Sequence, residues 1–512
     1  MTNSIAVVRE TERKYEADDL APLDPAELLG MDTGGHAEEQ SLEAVYYDTP
    51  DLRLLRAGIT LRRRRGGSDA GWHLKLPAGA DTRDELRLPL TRARRHPPAD
   101  LAALTRVYSR GEPLSPVAQL DTRRRRWLLY GADGRVLAEL VEDEVRAHRM
   151  GGSTEAVSWR EVEVELSEHG DRPLLDRIEG RLLGAGARRS GSGSKLGRLL
   201  ADRLAAAAPP VGAEGGSAGG AVLERLAGQA GRLRAYDPLV RRDAPDAVHQ
   251  MRVAARRMRS ILQAFGRVLD RGATAALVDE LRWLGAELGP ARDAEVIDEQ
   301  VAGLLAALPG GLVLGEVAAE AARATARHHA EGRAAALAVL DGDRYLALHE
   351  AIDRLLADPP FARHAARPSG TELPRGVARA WRRTARRMAA VELAADRPGR
   401  DEALHDVRKA AKRLRYATEA AEPAVGAVAT RLREHLKRVQ TVLGEQHDAV
   451  VSRPVLRELA AQAHRDGGNG FTYGVLYARE EERAARAEEA LPGVWAELDQ
   501  PAVTRWLRRR GG

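Results

Sequence analysis

Three sets of ionisable side chains in this 512-residue chain stand at spacings that could do chemistry. The first is Glu10-x-Glu12-x-Lys14, answered far downstream by Glu161, Glu163 and Glu165. Successive strand side chains point to opposite faces, so a period of two lines each set up on one face. Carboxylates in a row supply the oxygen ligands that divalent cations prefer, often with substrate phosphates in the same shell. The second set is cationic, at the same period: Arg62 and Arg64, then His73 and Lys75, then Arg83 and Arg87 flanking Glu85. Arg and Lys suit phosphate oxygens, Arg with a forked geometry. The third set has helical spacing. His249, Arg252, Arg256 and Arg259 form one narrow stripe at 3.6 residues per turn, and His405, Arg408, Lys412 and Arg415 form another.

The first two sets must ride on strands. Ile5 to Tyr15 reads as a strand, and Gly58-Ile59-Thr60-Leu61 leads into the arginines at 62 and 64. A turn at Gly66-Gly67 separates these from the strand of His73 and Lys75, whose alternate positions are Leu74 and Leu76. Residues 122–130 give a further strand with Arg123 and Arg125 on one face and Arg124 and Arg126 on the other. The sequence does not say which pair points inward. Asp133-Gly134 signals a hairpin. Leu137 to Val145, carrying Glu139 and Asp143, and Trp159 to Leu166 complete the set. Many strands joined by short turns imply an antiparallel barrel. If the charged faces line its inside, water, one another or a ligand must satisfy them, because unpaired buried charge is very costly. A lumen holding metal ions and a polyanion satisfies both signs at once.

The third set sits on amphipathic helices. Met251, Ala255 and Met258 back one stripe; Val407, Ala411 and Leu414 back the other. Like charges one turn apart cost roughly a few tenths of a kcal/mol per pair, so a duplicated cationic front points to an anionic partner. A second element repeats in step: Leu288-Gly289-Pro290-Ala291-Arg292-Asp293 answers Leu443-Gly444-Glu445-Gln446-His447-Asp448. Leu277–Leu288 and Leu432–Leu443 read as the amphipathic helices that follow each stripe.

The paired His/Arg helices and Leu-Gly-x-x-x-Asp elements resemble the CHAD domain over residues 221–507. The resemblance implies two pseudo-symmetric helical bundles whose basic surface, with His249, Arg252, Arg256, Arg259, His405, Arg408, Lys412 and Arg415, binds inorganic polyphosphate. Glu10-x-Glu12-x-Lys14, Leu61-Arg62-x-Arg64, Lys75, the Asp143 strand and Glu161-x-Glu163 resemble the CYTH family of triphosphate tunnel metalloenzymes over about residues 4–204. That implies an eight-stranded tunnel that acts on triphosphates with Mg²⁺ or Mn²⁺. Carried over, Glu10, Glu12, Asp143, Glu161 and Glu163 are the expected metal ligands. Lys14, Arg62, Arg64, Lys75, Arg124 and Lys195 are the expected phosphate ligands, and Glu10, Glu12, Lys14, Glu161 and Glu163 the expected catalytic set. Arg83 and Glu85 fit the pattern or form a surface pair. Lys195 matches a late family lysine, after flexible Ser192-Gly193-Ser194 and at the start of a helix running to about Leu204.

The expected architecture is therefore an α+β two-domain chain. An antiparallel β-barrel tunnel spans 1–204, a linker 205–220, a duplicated all-α bundle 221–507 and a short tail 508–512. Net charge is only +5, from 80 basic and 75 acidic side chains, so local segregation of charge matters more than the total. Cysteine is absent, which excludes thiolate metal sites, cysteine nucleophiles and disulfides. No apolar run reaches membrane-spanning length, and Arg9, Glu10 and Glu12 interrupt the first apolar stretch, so a cytoplasmic location is the default. The expected partners are tripolyphosphate in the tunnel and polyphosphate on the helices, the latter weakening steeply with salt. His249 and His405 are expected to strengthen that grip below about pH 6.5. Nucleic acid is disfavoured, since aromatic residues make up only 4% of the chain. The alternatives are a nucleoside or thiamine triphosphatase, an adenylate cyclase of the same family, and a polyphosphate-binding scaffold with an idle tunnel.

Overall fold

Strand after strand in the first part of the chain alternates ionic with apolar side chains, and a barrel has only two places to put them. In the computed structural model, which describes residues 5–21, 23–91, 96–151, 156–205 and 216–508, the ionic set goes inside. The strands are β1 (Ala6–Glu16), β2 (Glu38–Asp48), β3 (Thr60–Arg65), β4 (Gly71–Gly79), β5 (Thr82–Pro89), β6 (Ser115–Tyr130), β7 (Val136–Arg149), β8 (Ala156–Leu166) and the two-residue β9 (Arg188–Arg189). Eight of them close antiparallel in the order β5-β4-β3-β2-β6-β7-β8-β1, with β1 pairing back to β5. β9 adds to the end of β1. Gly66 makes the expected turn between β3 and β4. Its φ is +79° and a Cβ there would lie 2.1 Å from the Ser41 carbonyl oxygen, so only glycine fits.

The apolar sides of these strands face outward, where helices cover them. The helices of this unit are α1 (Pro25–Leu29), α2 (Arg53–Arg56), α3 (Ala99–Ser109), α4 (Arg172–Gly184), α5 (Lys195–Leu199) and α6 (Ala201–Ala205). Leu174, Leu175, Ile178 and Leu182 of α4 pack on Tyr15, Leu140, Val162 and Val164. Leu54 of α2 and Leu101 and Leu104 of α3 pack on Leu61, Trp72, Leu74 and Leu86. Each such buried side chain stabilises the fold by about 1.5–3 kcal/mol, so the core of this barrel lies outside its bore. A third cluster lies inside. Leu196, Leu199 and Leu200 join Ala44, Tyr46, Leu120, Val145 and Trp159 and stopper one end of the barrel. The helix expected to run to Leu204 is broken at Leu200, which these contacts bury.

The second unit is helical: α7 (Ala218–Arg241), α8 (Ala247–Ala264), α9 (Ala275–Glu287), α10 (Gly289–Ala306), α11 (Val317–Asp341), α12 (Asp343–Ala357), α13 (Ser369–Val391), α14 (Arg397–Val425), α15 (Ala427–Arg465), α16 (Phe471–Asp499) and α17 (Pro501–Arg508). The chain divides between Ala208 and Pro209. Of the expected linker, 206–215 lies outside the described residues, and so does 509–512 of the expected tail. Ser217 is already the N-cap of α7, its side chain accepting from the Gly220 amide, so the end of the linker reading is helical. The two His/Arg stripes are α8 and α14, which pack on each other. Met251, Ala255, Met258, Val407, Ala411 and Leu414 are all buried behind them. The repeats differ at their Leu-Gly elements. α9 and α10 break at Leu288 where Pro290 opens the second helix, whereas α15 runs unbroken through Leu443-Gly444-Glu445. Among the described residues no helix is long and apolar enough to cross a membrane.

Candidate active site and basic cleft

The bore of the barrel is a cavity of about 310 Å³ lined by nine basic and seven acidic side chains, with Tyr46 the one aromatic ring among them. β1 supplies Glu10, Glu12 and Lys14, alternating with outward Arg9 and Arg13; β3 supplies Arg62 and Arg64, and β4 Lys75. From the arginine run β6 sends in Arg124 and Arg126, in phase with Leu120 and Thr122. Arg125 turns outward, over the Trp127 ring at 5.4 Å and paired with Glu142.

Near the stopper, Asp143, Glu161 and Glu163 offer carboxylate oxygens all within 4.8 Å of one another. The ammonium of Lys195 sits among them, 2.9 Å from Asp143, 2.7 Å from Glu161 and 2.8 Å from Glu163. Arg124 forks onto Asp143 at 2.8 and 2.7 Å and reaches Glu163 at 3.3 Å. Lys14 bridges Glu163 and Glu12, the latter at 2.9 Å. Burial pushes the Glu163 carboxyl up, but Lys14, Lys195 and Arg124 overcome this and hold it well below its usual range. Burial likewise raises Glu161, and there Lys195 does not fully offset it. Lys195 is presented by α5, whose N-cap Ser194 accepts from the Gly197 amide at 3.0 Å. The preceding segment, expected to be flexible from its composition, is stitched to itself. Ser190 and Ser192 donate to the Ser192 and Ser194 carbonyls at 3.1 and 2.9 Å, and Arg83 donates to the Gly193 carbonyl.

Around Lys75 the charges alternate again. Lys75 contacts Glu10 at 2.5 Å and Glu85 at 3.7 Å, while Arg87 takes Glu10 at 3.0 Å and also pairs with Glu85. Glu85 accepts from His73 at 3.0 Å and lies 3.5 Å from Arg62. It is 1% exposed, so the surface-pair reading of Arg83 and Glu85 is wrong for Glu85: the Lys75↔Glu85 register of β4 and β5 sets it inside. Burial, then Arg62 and Arg124, bring the Arg64 guanidinium down to about 9, although Asp69 pairs with it. Glu10, Glu12 and Glu165 form a second carboxylate group within 4.8 Å. Burial and then Glu10 push Glu165 up to about 8. Glu12 Oε1 is buried and accepts no hydrogen bond. The donor set therefore fits a divalent cation: clustered buried oxygens, one of them without a hydrogen bond, and a side-chain cation already seated in the Asp143 cluster.

In the helical unit the two stripes converge on one cleft of about 1050 Å³, lined by His249, Arg252, Arg256 and Arg259 from α8 and His405, Arg408 and Lys412 from α14. The repeated Leu-Gly-x-x-x-Asp elements meet the repeated arginines. Arg252 lies 3.8 Å from Asp293, and Arg408 lies 3.7 Å from Asp448. Arg252 also donates to the Leu288 and Gly289 carbonyls at 3.2 and 3.1 Å. Arg415 does not join the cleft. Its guanidinium lies over the Tyr416 ring at 5.2 Å and pairs with Glu419 at 3.4 Å, where it meets Arg257 of α8. Lys409, Arg413 and His447 line the cleft as well, and His447 stacks on His405 at 4.6 Å. Burial, then Arg408 and Arg256, bring Lys412 down to about 7. Burial, then Arg292, bring His249 down to about 4, so the expected histidine effect below pH 6.5 moves to much lower pH in the free protein.

These two sites belong to recognisable families. Residues 8–185 match the CYTH domain and residues 224–457 the CHAD domain. An uncharacterised protein of Mycobacterium tuberculosis is 40% identical over 509 residues, 96% of each chain. The chain is a CYTH–CHAD fusion. Among solved structures, PptA from Streptomyces chartreusis is 22% identical over 55% of this chain and 99% of its own, with a TM-score of 0.46. The CHAD domain from the plant Ricinus communis is 25% identical over 56% of this chain and 90% of its own, with a TM-score of 0.39. CYTH proteins commonly act on triphosphates with metal ions, and CHAD domains are associated with polyphosphate.

Sequence reasoning left several CYTH lumen residues out of the candidate set: Glu85, Arg87, Arg126, Glu139 and Glu165. For Arg126, Glu139 and Glu165 the signal was present, since each keeps the period-two phase of an assigned neighbour on its own strand; β5, which carries Glu85 and Arg87, had no assigned neighbour to set the phase. β2, with Gln40 and Tyr46 in the lumen, went unread because its first residues, Glu38-Glu39-Gln40, look like a solvated loop. In the CHAD domain, Arg413 and Lys409 could have been found only by knowing how α14 rolls against α8.

Proposed function

We propose that the CYTH domain hydrolyses inorganic tripolyphosphate, or another short linear triphosphate, with Mg²⁺ or Mn²⁺, and that the CHAD cleft binds inorganic polyphosphate. One observation carries the substrate reading: the lumen is ionic almost throughout, and its single ring, Tyr46, has its hydroxyl taken by Arg62 at 3.4 Å. Tyr46 is also 3% exposed and packed in the apolar stopper, so a purine or thiazolium would find no open ring face to stack on. Phosphate oxygens would find Arg62, Arg64 and Lys75 on one side and Lys14, Arg124 and Lys195 on the other. Asp143, Glu161 and Glu163 would hold a divalent cation, and Glu10 and Glu12, with Glu165, would offer a second group of carboxylate ligands. Such a cation would draw charge off the phosphoryl oxygens while water attacks in line. The arginines supply the remaining counter-charge, and their mutual repulsion is relieved when a polyanion enters.

The deciding measurement compares phosphate release from tripolyphosphate, ATP and thiamine triphosphate under Mn²⁺ and under Mg²⁺. Tripolyphosphate should lead under at least one metal, and a wide margin for ATP overturns the substrate assignment. For the cleft, polyphosphate should displace single-stranded RNA of equal charge at fixed salt. The reverse ranking overturns the partner.

A further inference from the structure

The positive charge of the CHAD cleft continues past its rim. Arg259, Arg282 and Arg413 all line the cleft, and Arg259 is lowered by burial, then by Arg413 and Arg282. Arg413 in turn feels Arg383 and Arg387 of α13. α13 packs along α14, and Arg387 reaches Asp406 of α14 at 3.0 Å. The cleft and the outer face of α13 are therefore electrostatic neighbours.

On α13 itself arginines recur at 375, 379, 382, 383, 386 and 387, spacings that place them on one side of the helix. From Arg375 to Arg387 this band runs about 18 Å at 1.5 Å per residue. The other side buries Leu373, Val377 and Trp381, which fixes the band outward. Arg382, Arg383 and Arg386 are exposed and have no ion-pair partner among the described residues. At the start of the helix the excess charge persists. The single buried carboxylate of Glu372 is shared by Arg375 at 2.9 Å, Arg267 at 3.4 Å and Arg367 at 3.6 Å. Arg379 donates to the Ala264 carbonyl at 3.0 Å, which ties α13 to α8 at that corner. A band of like charge this dense opposes the folded state unless a counter-ion lies along it.

We propose that α13 carries a second anion-binding track, continuous with the CHAD cleft, that takes the part of a long linear polyphosphate overrunning the cleft. The inference rests on the reading of the cleft as a polyphosphate site and adds chain-length selectivity to it. A chain short enough to fill the cleft alone gains nothing from α13. A longer chain engages both, and the second contact is made at the high effective concentration that tethering provides.

The test measures affinities of short-chain and long-chain inorganic polyphosphate for the full protein across a salt series. The variants are Arg382→Gln/Arg383→Gln/Arg386→Gln, its Glu counterpart, and a cleft variant, Arg256→Ala/Lys412→Ala. The Gln variant removes charge at exposed positions and keeps the test valid if charge reversal disturbs folding. Long-chain affinity of the Gln variant should fall by about tenfold or more. Its salt slope should flatten by about 2, at roughly 0.7 per lost contact on a single-stranded polyanion. Short-chain affinity should hold. Unchanged long-chain binding, or equal loss for short and long chains, overturns the track. If the cleft variant also binds normally, the reading of the cleft itself fails; if the cleft variant alone weakens, only the track fails. Single-stranded RNA that depends on the track as strongly as long polyphosphate does would overturn the ligand class.

Discussion

Removing the Lys195 ammonium should uncover three buried carboxylates at once. The substitution is Lys195→Met, which keeps the apolar stem that packs beside Leu196 and deletes the charge. Asp143 would keep Arg124, and Glu163 would keep Arg124 and Lys14. Glu161 would be left with the Trp159 indole N–H, which donates to it at 2.6 Å. Breaking a buried ion pair on one side costs about 3–5 kcal/mol. Spread over a domain of this size, each kcal/mol lowers Tm by roughly 2–4 °C. Without metal, the CYTH transition should therefore fall by roughly 6–20 °C. Calorimetry of the full chain measures it, with hydrogen exchange in β7 and β8 assigning the transition. The loss should depend on pH with a definite sign. A carboxyl raised above its unfolded pKa costs nothing at low pH and progressively more as pH climbs past the unfolded value, so the deficit should shrink toward pH 5. Mn²⁺ should then stabilise the variant more than the parent, because in the parent the ion must first displace an ammonium already in its place. Equal Tm values without metal, or equal gains with Mn²⁺, would refute the view that Lys195 neutralises this cluster.

Glu161→Ala/Glu163→Ala should abolish tripolyphosphate turnover and leave polyphosphate binding by the CHAD domain intact, read by phosphate release and by titration with long-chain polyphosphate. Polyphosphate affinity should weaken as pH rises through about 7, where Lys412 loses its proton in the free cleft. A bound anion raises that pKa, so binding takes up at most one proton there and the fall is at most tenfold per pH unit. His249, near 4, and His447, near 3, contribute nothing in that window, and Lys412→Met should flatten the profile. Leu199→Ala should loosen the apolar stopper at a cost of about 2–5 kcal/mol. Since the stopper seats α5, the same variant should bind Mn²⁺ with altered affinity without losing any carboxylate.

Much of the barrel could be read from the sequence because its logic is local. A strand whose apolar residues face helices and whose charged residues face a bore shows both facts in its own alternation, as β1, β3, β4 and β8 do. Glu85 resisted because its burial depends on which residue of β4 it pairs with, a long-range fact. β2 resisted because its exposed acidic start hides Leu42, Ala44 and Tyr46 behind it. The helical stripes were legible from spacing, and Arg415 marks where that spacing stops helping. The stripe drifts as it climbs α14, and Glu419 one turn further on takes the guanidinium for itself. The stitched Ser190–Ser194 segment shows the limit of composition. Small polar residues permit disorder, but here their hydroxyls close on the backbone carbonyls and hold a lysine in place.

The proline that splits one repeat and not the other makes the two jaws of the cleft mechanically unlike. Carbonyls at that break accept from the Arg252 head, so it behaves as a strut: shortening it should disturb how α9 and α10 meet before it disturbs any ligand. Arg408 faces an uninterrupted helix and, among the described residues, has Asp448 at 3.7 Å as its ion-pair partner and no such carbonyls. Residues at matched positions of the two repeats thus do different work, one as scaffold and the other as a hand, and alanine at each should separate folding stability from grip.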